Sequence, residues 1–140
     1  MGWPESEWVL LDANERRTAF LEQAVGELGL GERVVVRRGR AEDAARDVDL
    51  RHGFDLVAAR GFGPPAVTAE CAAGFLQVNG LLLVSEPPNT DPTRWPAAGL
   101  AMLGLADAGV VGGTRCLRQV RAAPEVVPRR TGVPAKRPLW

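Results

Sequence analysis

Short apolar runs alternate with amphipathic segments along most of the chain. Each run is nearly continuous, which is the pattern of a strand buried on both faces of a sheet. Four such strands are predicted, at Trp8–Leu11, Val34–Val36, Phe54–Ala59 and Leu81–Val84, and a final strand is predicted over Thr114–Arg121. Strands that alternate with helices predict an α/β fold, with a parallel sheet covered on both faces.

The segments between the strands carry signals that begin and end helices. Asn14 can cap a helix, and Gly29 can end it. Pro64 and Pro65 suit a first helical turn, where a missing N–H costs little. Four helices are predicted, over about Glu15–Leu28, Ala41–Asp47, Pro64–Leu76 and Pro96–Ala106.

Composition narrows the class of protein. The 140 residues suffice for one domain that buries about two-thirds of its unfolded surface. The 17 basic and 17 acidic residues balance, which excludes a generally polycationic nucleic-acid binder. No apolar run is long enough to span a membrane. Cys71 and Cys116 have neither metal-binding nor disulfide-framework spacing and fit a reducing cytosol, so we expect a cytoplasmic protein without a metal site.

The C-terminal part of the chain is rich in basic residues. From Arg115 onwards Glu125 is the one acid, and seven residues are basic: Arg115, Arg118, Arg121, Arg129, Arg130, Lys136 and Arg137. We expect residues 1–122 to form the α/β domain and residues 123–140 to be an irregular tail. That tail is either solvated and extended or directed at RNA phosphates, and four of its residues are candidates for binding RNA: Arg129, Arg130, Lys136 and Arg137.

Candidate site residues come where strands end, because open α/β sheets bind ligands beyond the carboxyl ends of their strands. Asp12 ends the first strand, and a carboxylate there can accept hydrogen bonds from both hydroxyls of a ribose. The alternative is that Asp12 caps the following helix. Arg60 follows the third strand and is either a cation at the cleft mouth or a surface arginine paired with an acid.

Two other patterns carry less weight. Residues 61–66 match G-x-G-x-x-A, but Pro64 and Pro65 remove two N–H donors that a dinucleotide-binding loop needs, so that function is disfavoured. His52 is the one histidine and lies in a predicted turn, where a surface residue is expected more often than a general base.

Four segments, in this order, resemble one known family. They are Leu10–Arg17, Gly39–Glu42, Phe54–Arg60 and Pro128–Lys136, and they are similar to segments of the bacterial 16S ribosomal RNA guanine-N7 methyltransferases, the RsmG or GidB family. The similarity covers nearly the whole chain from Trp3. Each segment is weakly specific by itself, and their order makes the resemblance more specific.

The resemblance implies a class I, Rossmann-like methyltransferase fold that binds S-adenosylmethionine (AdoMet). By position, six residues would bind the cofactor: Asp12, Ala13 and Asn14 at the ribose, Ala41 and Glu42 at the adenine, and Arg60 at the mouth shared with the substrate. The implied reaction methylates guanine N7 in 16S rRNA, with that rRNA or the small ribosomal subunit as partner. Because N7 carries no proton, the reaction needs alignment more than a general base.

The sequence also departs from the family. The family's glycine-rich loop after its first strand has no counterpart, and Ser85-Glu86 stands where the family has a lysine-glycine pair. Glu86 is expected to repel phosphate, which points to a divergent paralogue. A non-catalytic fragment or pseudo-enzyme of the same fold and a small-molecule methyltransferase therefore remain alternatives.

The first recognisable strand, Trp8–Leu11, matches the family's second strand. Residues 1–7 hold a proline and two acids and no apolar run, so they are not expected to supply the first strand. We therefore expect a truncated reading frame, poorly soluble or oligomeric through unpaired strand edges, with little AdoMet affinity. An N-terminal extension that encodes the strand and its loop is expected to restore folding and binding.

Overall fold

The computed structural model describes residues 5–140, and the chain divides into two compact units between Ala41 and Glu42. The first unit is a βαβ motif made of β1 (Trp8–Asp12), α1 (Glu15–Glu27) and β2 (Val34–Arg38). The two strands are parallel, with Trp8 opposite Val34 and Asp12 opposite Arg38. These three elements confirm the predictions for this part of the chain.

The local signals in the first unit act as predicted. The Asn14 side chain accepts a hydrogen bond from the backbone N–H of Arg17 at 3.0 Å and so caps α1. Gly29 adopts a left-handed φ of 63° just after the helix, a conformation that few other residues take without strain. β1 is half-buried throughout, not buried as predicted, because it pairs with β2 alone among the described strands.

The second unit contains most of the elements. After α2 (Ala41–Ala44) at the boundary, it comprises β3 (Phe54–Ala59), α3 (Pro65–Ala73), β4 (Leu76–Ser85), a 3-10 helix (Pro92–Arg94), α4 (Ala97–Met102), β5 (Leu105–Val111), β6 (Thr114–Gln119) and α5 (Val133–Lys136). The sheet order is β3-β4-β6-β5. β3 and β4 are parallel, and β6 is antiparallel to both of its neighbours, so this sheet is mixed where a parallel one was predicted.

Several element boundaries differ from the predictions. α2 ends at Ala44 and is followed by turns, and β4 begins at Leu76, earlier than the predicted start at Leu81, so that Asn79 and Gly80 lie inside the strand. There Asn79 has a φ of 72°, and the β3–β4 register shifts. α4 ends at Met102, where a helix to Ala106 was predicted, and β5 was not predicted at all.

Buried leucines form the core of the second unit. Five of them are fully enclosed: Leu76, Leu82, Leu100, Leu103 and Leu117. Trp95 packs in the same cluster, together with Ala123 and Val127 from the C-terminal segment. No helix in the described part of the chain has the length and apolar character needed to cross a membrane.

The expectation of a solvated, extended tail is wrong. In residues 123–140, Pro128 and Pro134 are fully buried and Val127 belongs to the core. The Trp140 ring lies against Gly99 so closely that a Cβ on Gly99 would overlap Trp140 Cε3. Prolines bury apolar surface without any helical or strand periodicity, so the pattern gave no sign of this packing.

Candidate functional site

The carboxylate of Asp12 lies at the carboxyl end of β1, as the strand-end rule predicts. Its Oδ1 accepts a hydrogen bond from the backbone N–H of Asn14 at 2.8 Å. Arg17 forms a two-point contact with it, Nε to Oδ2 at 2.8 Å and Nη2 to Oδ1 at 3.0 Å. Asn14 caps α1, so the interpretation of Asp12 as the helix cap is wrong.

The contact with Arg17 sets the charge state of Asp12. The hydrogen bonds from Arg17, and then that from Asn14, hold the pKa of the Asp12 carboxyl below its usual value. Asp12 is therefore ionised at neutral pH, and the stability that its contacts contribute is lost only as the pH falls through this lowered pKa. A carboxylate has about four acceptor sites. Three of these sites are in use here, so the two hydroxyls of a ribose would have to replace at least one hydrogen bond that Arg17 now makes. The Arg17 side chain is 68% exposed and can move away from Asp12.

The other cofactor residues predicted beside the ribose and adenine differ in their surroundings. Ala13 and Asn14 are exposed in the turn after β1, and Ala41 is half-buried at the start of α2. The Glu42 side chain is buried, and its Oε1 accepts a hydrogen bond from the backbone N–H of Gly132 at 3.1 Å. Glu42 therefore has a structural contact with the C-terminal segment, which sequence reasoning did not predict.

The second unit has a cavity at the carboxyl ends of β3 and β4. Its volume is about 580 Å³, within the range of roughly 300–1,000 Å³ usual for small-molecule sites. Six lining residues carry its chemistry: Arg60, Phe62, Glu86, Arg94, Trp95 and Thr114. Arg60, Phe62 and Glu86 were all expected at strand ends, but Phe62 was given no role, although an aromatic residue between two glycines after a strand is a usable signal.

Arg60 is a cation at this cavity whose side chain has no partner among residues 5–140. Its side chain is exposed, and it makes no hydrogen bond or ion pair with any other residue in the described range 5–140. The alternative of a surface arginine paired with an acid therefore does not hold for this part of the chain.

Replacing Arg60 by alanine is expected to weaken ligand binding by about two- to five-fold, the effect of losing one exposed charge contact. The melting temperature should stay nearly unchanged, because no protein contact is lost. Calorimetric titration and thermal unfolding of the variant check both expectations. A large fall in melting temperature with intact binding would give Arg60 a structural role instead.

Glu86 is almost enclosed and neutralised by two arginines. Its side chain is 5% exposed, and Oε1 accepts hydrogen bonds from Trp95 Nε1 at 2.6 Å and from Arg94 Nη1 at 3.3 Å. Arg115 lies between Glu86 and Asp107, with Nε 3.4 Å from Glu86 Oε2 and Nη1 2.7 Å from Asp107 Oδ2. The expectation that Glu86 repels phosphate at an exposed rim is wrong, because its charge is buried and matched.

Arg129 is anchored by a fully buried carboxylate. Its Nε and Nη2 donate to Glu70 Oε1 and Oε2 at 2.8 and 2.7 Å, and its backbone N–H also donates to Oε1 at 2.8 Å. These contacts raise the pKa of Arg129. Of the four residues predicted to bind RNA, Arg129 is thus committed to the fold, whereas Arg130, Lys136 and Arg137 are exposed.

Arg51 anchors the C-terminal segment, residues 123–140, and was not singled out in the sequence. It donates to the carbonyl oxygens of Ala45, Val127 and Pro124, at 3.2, 2.7 and 3.1 Å. His52 Nδ1 lies 3.2 Å from the Leu76 carbonyl oxygen, so this histidine has a structural contact. Residues 5–140 contain no group of three histidine, cysteine or acidic side chains that could hold a metal ion.

Several solved structures with a similar fold are methyltransferases. A methyltransferase from Geobacter sulfurreducens superposes with a TM-score of 0.55 at 20% identity, covering 80% of this chain and 57% of that one. An O-methyltransferase family protein from Burkholderia thailandensis gives a TM-score of 0.52 at 18% identity, covering 79% and 41%. The likeness shows the class I methyltransferase fold and confirms the predicted fold class.

Curated relatives are similar over nearly the whole of this chain. Ribosomal RNA small subunit methyltransferase G of Moorella thermoacetica is 34% identical over 147 residues, which cover 97% of this chain and 61% of that protein. The protein of the same name from Symbiobacterium thermophilum is 34% identical over 151 residues, with the same coverage. The chain thus spans about three-fifths of the length of these relatives.

A family model described as GidB, rRNA small subunit methyltransferase G, matches residues 1–86. The match runs through the ends of β1, β3 and β4, where Asp12, Arg60 and Glu86 lie. It confirms the family that the four sequence segments resemble: the chain belongs to the GidB family.

Proposed function

We propose that this chain works in an AdoMet-dependent methyltransferase that modifies guanine N7 in 16S rRNA. The observation that carries the proposal is the family match over residues 1–86, which includes the strand ends that bind ligands in this fold. The second unit adds a cavity of about 580 Å³, and Arg60 at its edge pairs with no side chain in the part of the chain that the structure describes.

The residues at the end of β1 fit a nucleoside cofactor. Asp12 is an ionised, acceptor-only group that is 26% exposed, and Ala13 and Asn14 are exposed beside it. In the proposed assignment Asp12 accepts the ribose hydroxyls, and Ala41 and Glu42 flank the adenine. The Glu42 carboxylate keeps its contact with Gly132, so its contribution to an adenine site is packing.

AdoMet supplies a methyl group on a positively charged sulfur. The N7 lone pair forms the new bond to carbon, the sulfur–carbon bond breaks with its electron pair left on sulfur, and the positive charge passes to the base. No proton moves, so the protein's part is to align the base and exclude water. Arg60 would hold a phosphate of the acceptor strand at the cavity mouth.

The proposal is tested by titrating the 140-residue protein with AdoMet in a calorimeter and by assaying labelled methyl transfer to unmodified small ribosomal subunits. Both measurements are repeated on the protein extended at its N-terminus by the family's first strand and glycine-rich loop, because a chain without a counterpart of that loop is expected to bind AdoMet weakly. Saturable binding by the extended protein and label on a guanine N7 of 16S rRNA are expected. Absence of AdoMet binding would favour the non-catalytic protein of the same fold. Transfer to small molecules but not to rRNA would favour the small-molecule enzyme.

Three exposed cations of the C-terminal segment are proposed to contact RNA phosphates. Replacing Arg130, Lys136 and Arg137 together by alanine should reduce the slope of log affinity against log salt by about 2, at roughly 0.7 per phosphate contact on single strands. Their side chains are exposed, so the melting temperature should change little. Binding to an rRNA fragment at several salt concentrations measures the slope, and equal slopes for variant and parent would remove these residues from the interface.

A further inference from the structure

Phe62 is an exposed aromatic residue that lines the cavity of the second unit. It is 50% exposed, directly follows Gly61, and lines the cavity beside Arg60. Gly61 has a left-handed φ of 60°, so the chain turns sharply just after β3 and places Phe62 at the strand end. Exposed aromatic rings next to arginine are platforms on which nucleobases stack.

Glu86 borders the same cavity and has unused acceptor capacity. Oε1 receives two donors, but Oε2 receives only the 3.4 Å contact from Arg115, whose shorter bond goes to Asp107. A carboxylate offers about four acceptor sites, so Oε2 can take a further N–H donor. Because Arg94 and Arg115 already match its charge, the further donor does not have to be a cation, and a neutral N–H group is sufficient.

We propose that this cavity binds the acceptor base, with guanine stacked on Phe62 and its N1–H group donating to Oε2 of Glu86. The inference rests on the proposed function and deepens it by naming the residues that select the base. Guanine presents a ring N–H donor at N1, which complements the one free acceptor site of the carboxylate. Adenine and cytosine place a ring acceptor beside one amino donor, so the carboxylate faces a repelling lone pair.

The hydrogen bond between guanine and Glu86 is expected to stabilise the transition state of methyl transfer more than the bound substrate. Methylation at N7 leaves the ring positively charged, which makes N1–H a stronger donor to the buried carboxylate. A hydrogen bond that strengthens as charge develops stabilises the transition state more than the bound substrate. Glu86 is thus a specificity residue whose hydrogen bond to the base becomes stronger during methyl transfer. For the same reason, 7-methylguanosine should bind more tightly than guanosine.

The test is calorimetric binding of guanosine, adenosine and 7-methylguanosine to the 140-residue protein and two variants. Phe62→Leu keeps an apolar side chain but removes the ring, and should weaken guanosine binding by about ten-fold. Glu86→Gln keeps the size but adds a donor, and should reduce the preference for guanosine over adenosine by about ten-fold. Phe20→Leu is the matched control, since Phe20 is 69% exposed and does not line the cavity.

The outcomes separate this inference from the proposed function. No measurable guanosine binding, equal affinity for guanosine and adenosine, or equal effects of Phe62→Leu and Phe20→Leu would each overturn it. Should Glu86→Gln unfold the second unit, Phe62→Leu decides, because its ring is half exposed. Guanosine selectivity without AdoMet binding would keep the cavity assignment and reject the methyltransferase proposal. AdoMet binding without guanosine selectivity would reject the cavity assignment and keep the methyltransferase proposal.

Discussion

Replacing Arg129 by alanine is expected to lower the free energy of unfolding of the second unit by about 3–5 kcal/mol, because it leaves a buried charge without its partner. The Glu70 side chain is fully buried and receives two side-chain hydrogen bonds from Arg129. Removing them leaves the backbone N–H of Arg129 as the one donor that the structure shows on that carboxylate. A typical domain has a total stability of only about 5–15 kcal/mol, so the loss would be a large share of it.

Urea unfolding monitored by circular dichroism measures the effect. Arg130→Ala is the matched control, since Arg130 is the next residue, has the same side chain and is exposed. Replacing both Glu70 and Arg129 by leucine should recover much of the loss, because no buried charge then remains unpaired. If Arg129→Ala and Arg130→Ala unfolded at the same urea concentration, the hydrogen bonds between the Arg129 side chain and Glu70 would contribute nothing to stability. Arg129 would then be available to bind RNA.

The elements that sequence analysis predicted well depend on contacts between near neighbours in the chain. The cap by Asn14 spans three residues, and the glycine that follows α1 is two residues beyond its last turn. Such signals are visible in any short window of sequence. They also explain why the sequence alone predicts the strand ends, and with them the positions of Asp12 and Arg60.

β5 was missed because its own residues are poor strand formers. Ala106, Asp107 and Gly109 interrupt the apolar pattern, and the strand exists through its antiparallel pairing with β6. One signal was available: Gly112 and Gly113 both have positive φ and join the two strands in a tight hairpin. A Gly-Gly pair between apolar residues is typical of such a two-residue turn.

The C-terminal segment was misjudged because its partners are far away in sequence. Glu70 and Arg129 are 59 residues apart, and Glu42 and Gly132 are 90 apart. A glutamate on an apolar helix or a basic residue between prolines gives no local sign of the pairing. The neutralisation of Glu86 is likewise a property of the fold, since Arg94 and Arg115 reach it from different elements.

Replacing Asp12 by alanine is expected to weaken AdoMet binding by about ten-fold or more, since a hydrogen bond to a charged group contributes roughly 1.5–3 kcal/mol. The ion pair with Arg17 suggests a second variant, which distinguishes a role of Asp12 in ligand binding from a structural role. Arg17 occupies both carboxylate oxygens of Asp12 and therefore competes with the ribose. Arg17→Gln should free the carboxylate and tighten AdoMet binding by up to about five-fold, the effect of one exposed ion pair.

The two variants thus move affinity in opposite directions if Asp12 binds the ribose, while both remove the same ion pair from the folded protein. Calorimetric titration gives the affinities, and thermal unfolding gives the stabilities. A structural role would show the contrary pattern: Asp12→Ala and Arg17→Gln would lower the melting temperature together and leave AdoMet affinity unchanged. In that case the Asp12 carboxylate serves to hold the turn between β1 and α1, and the ribose site must be sought at another strand end.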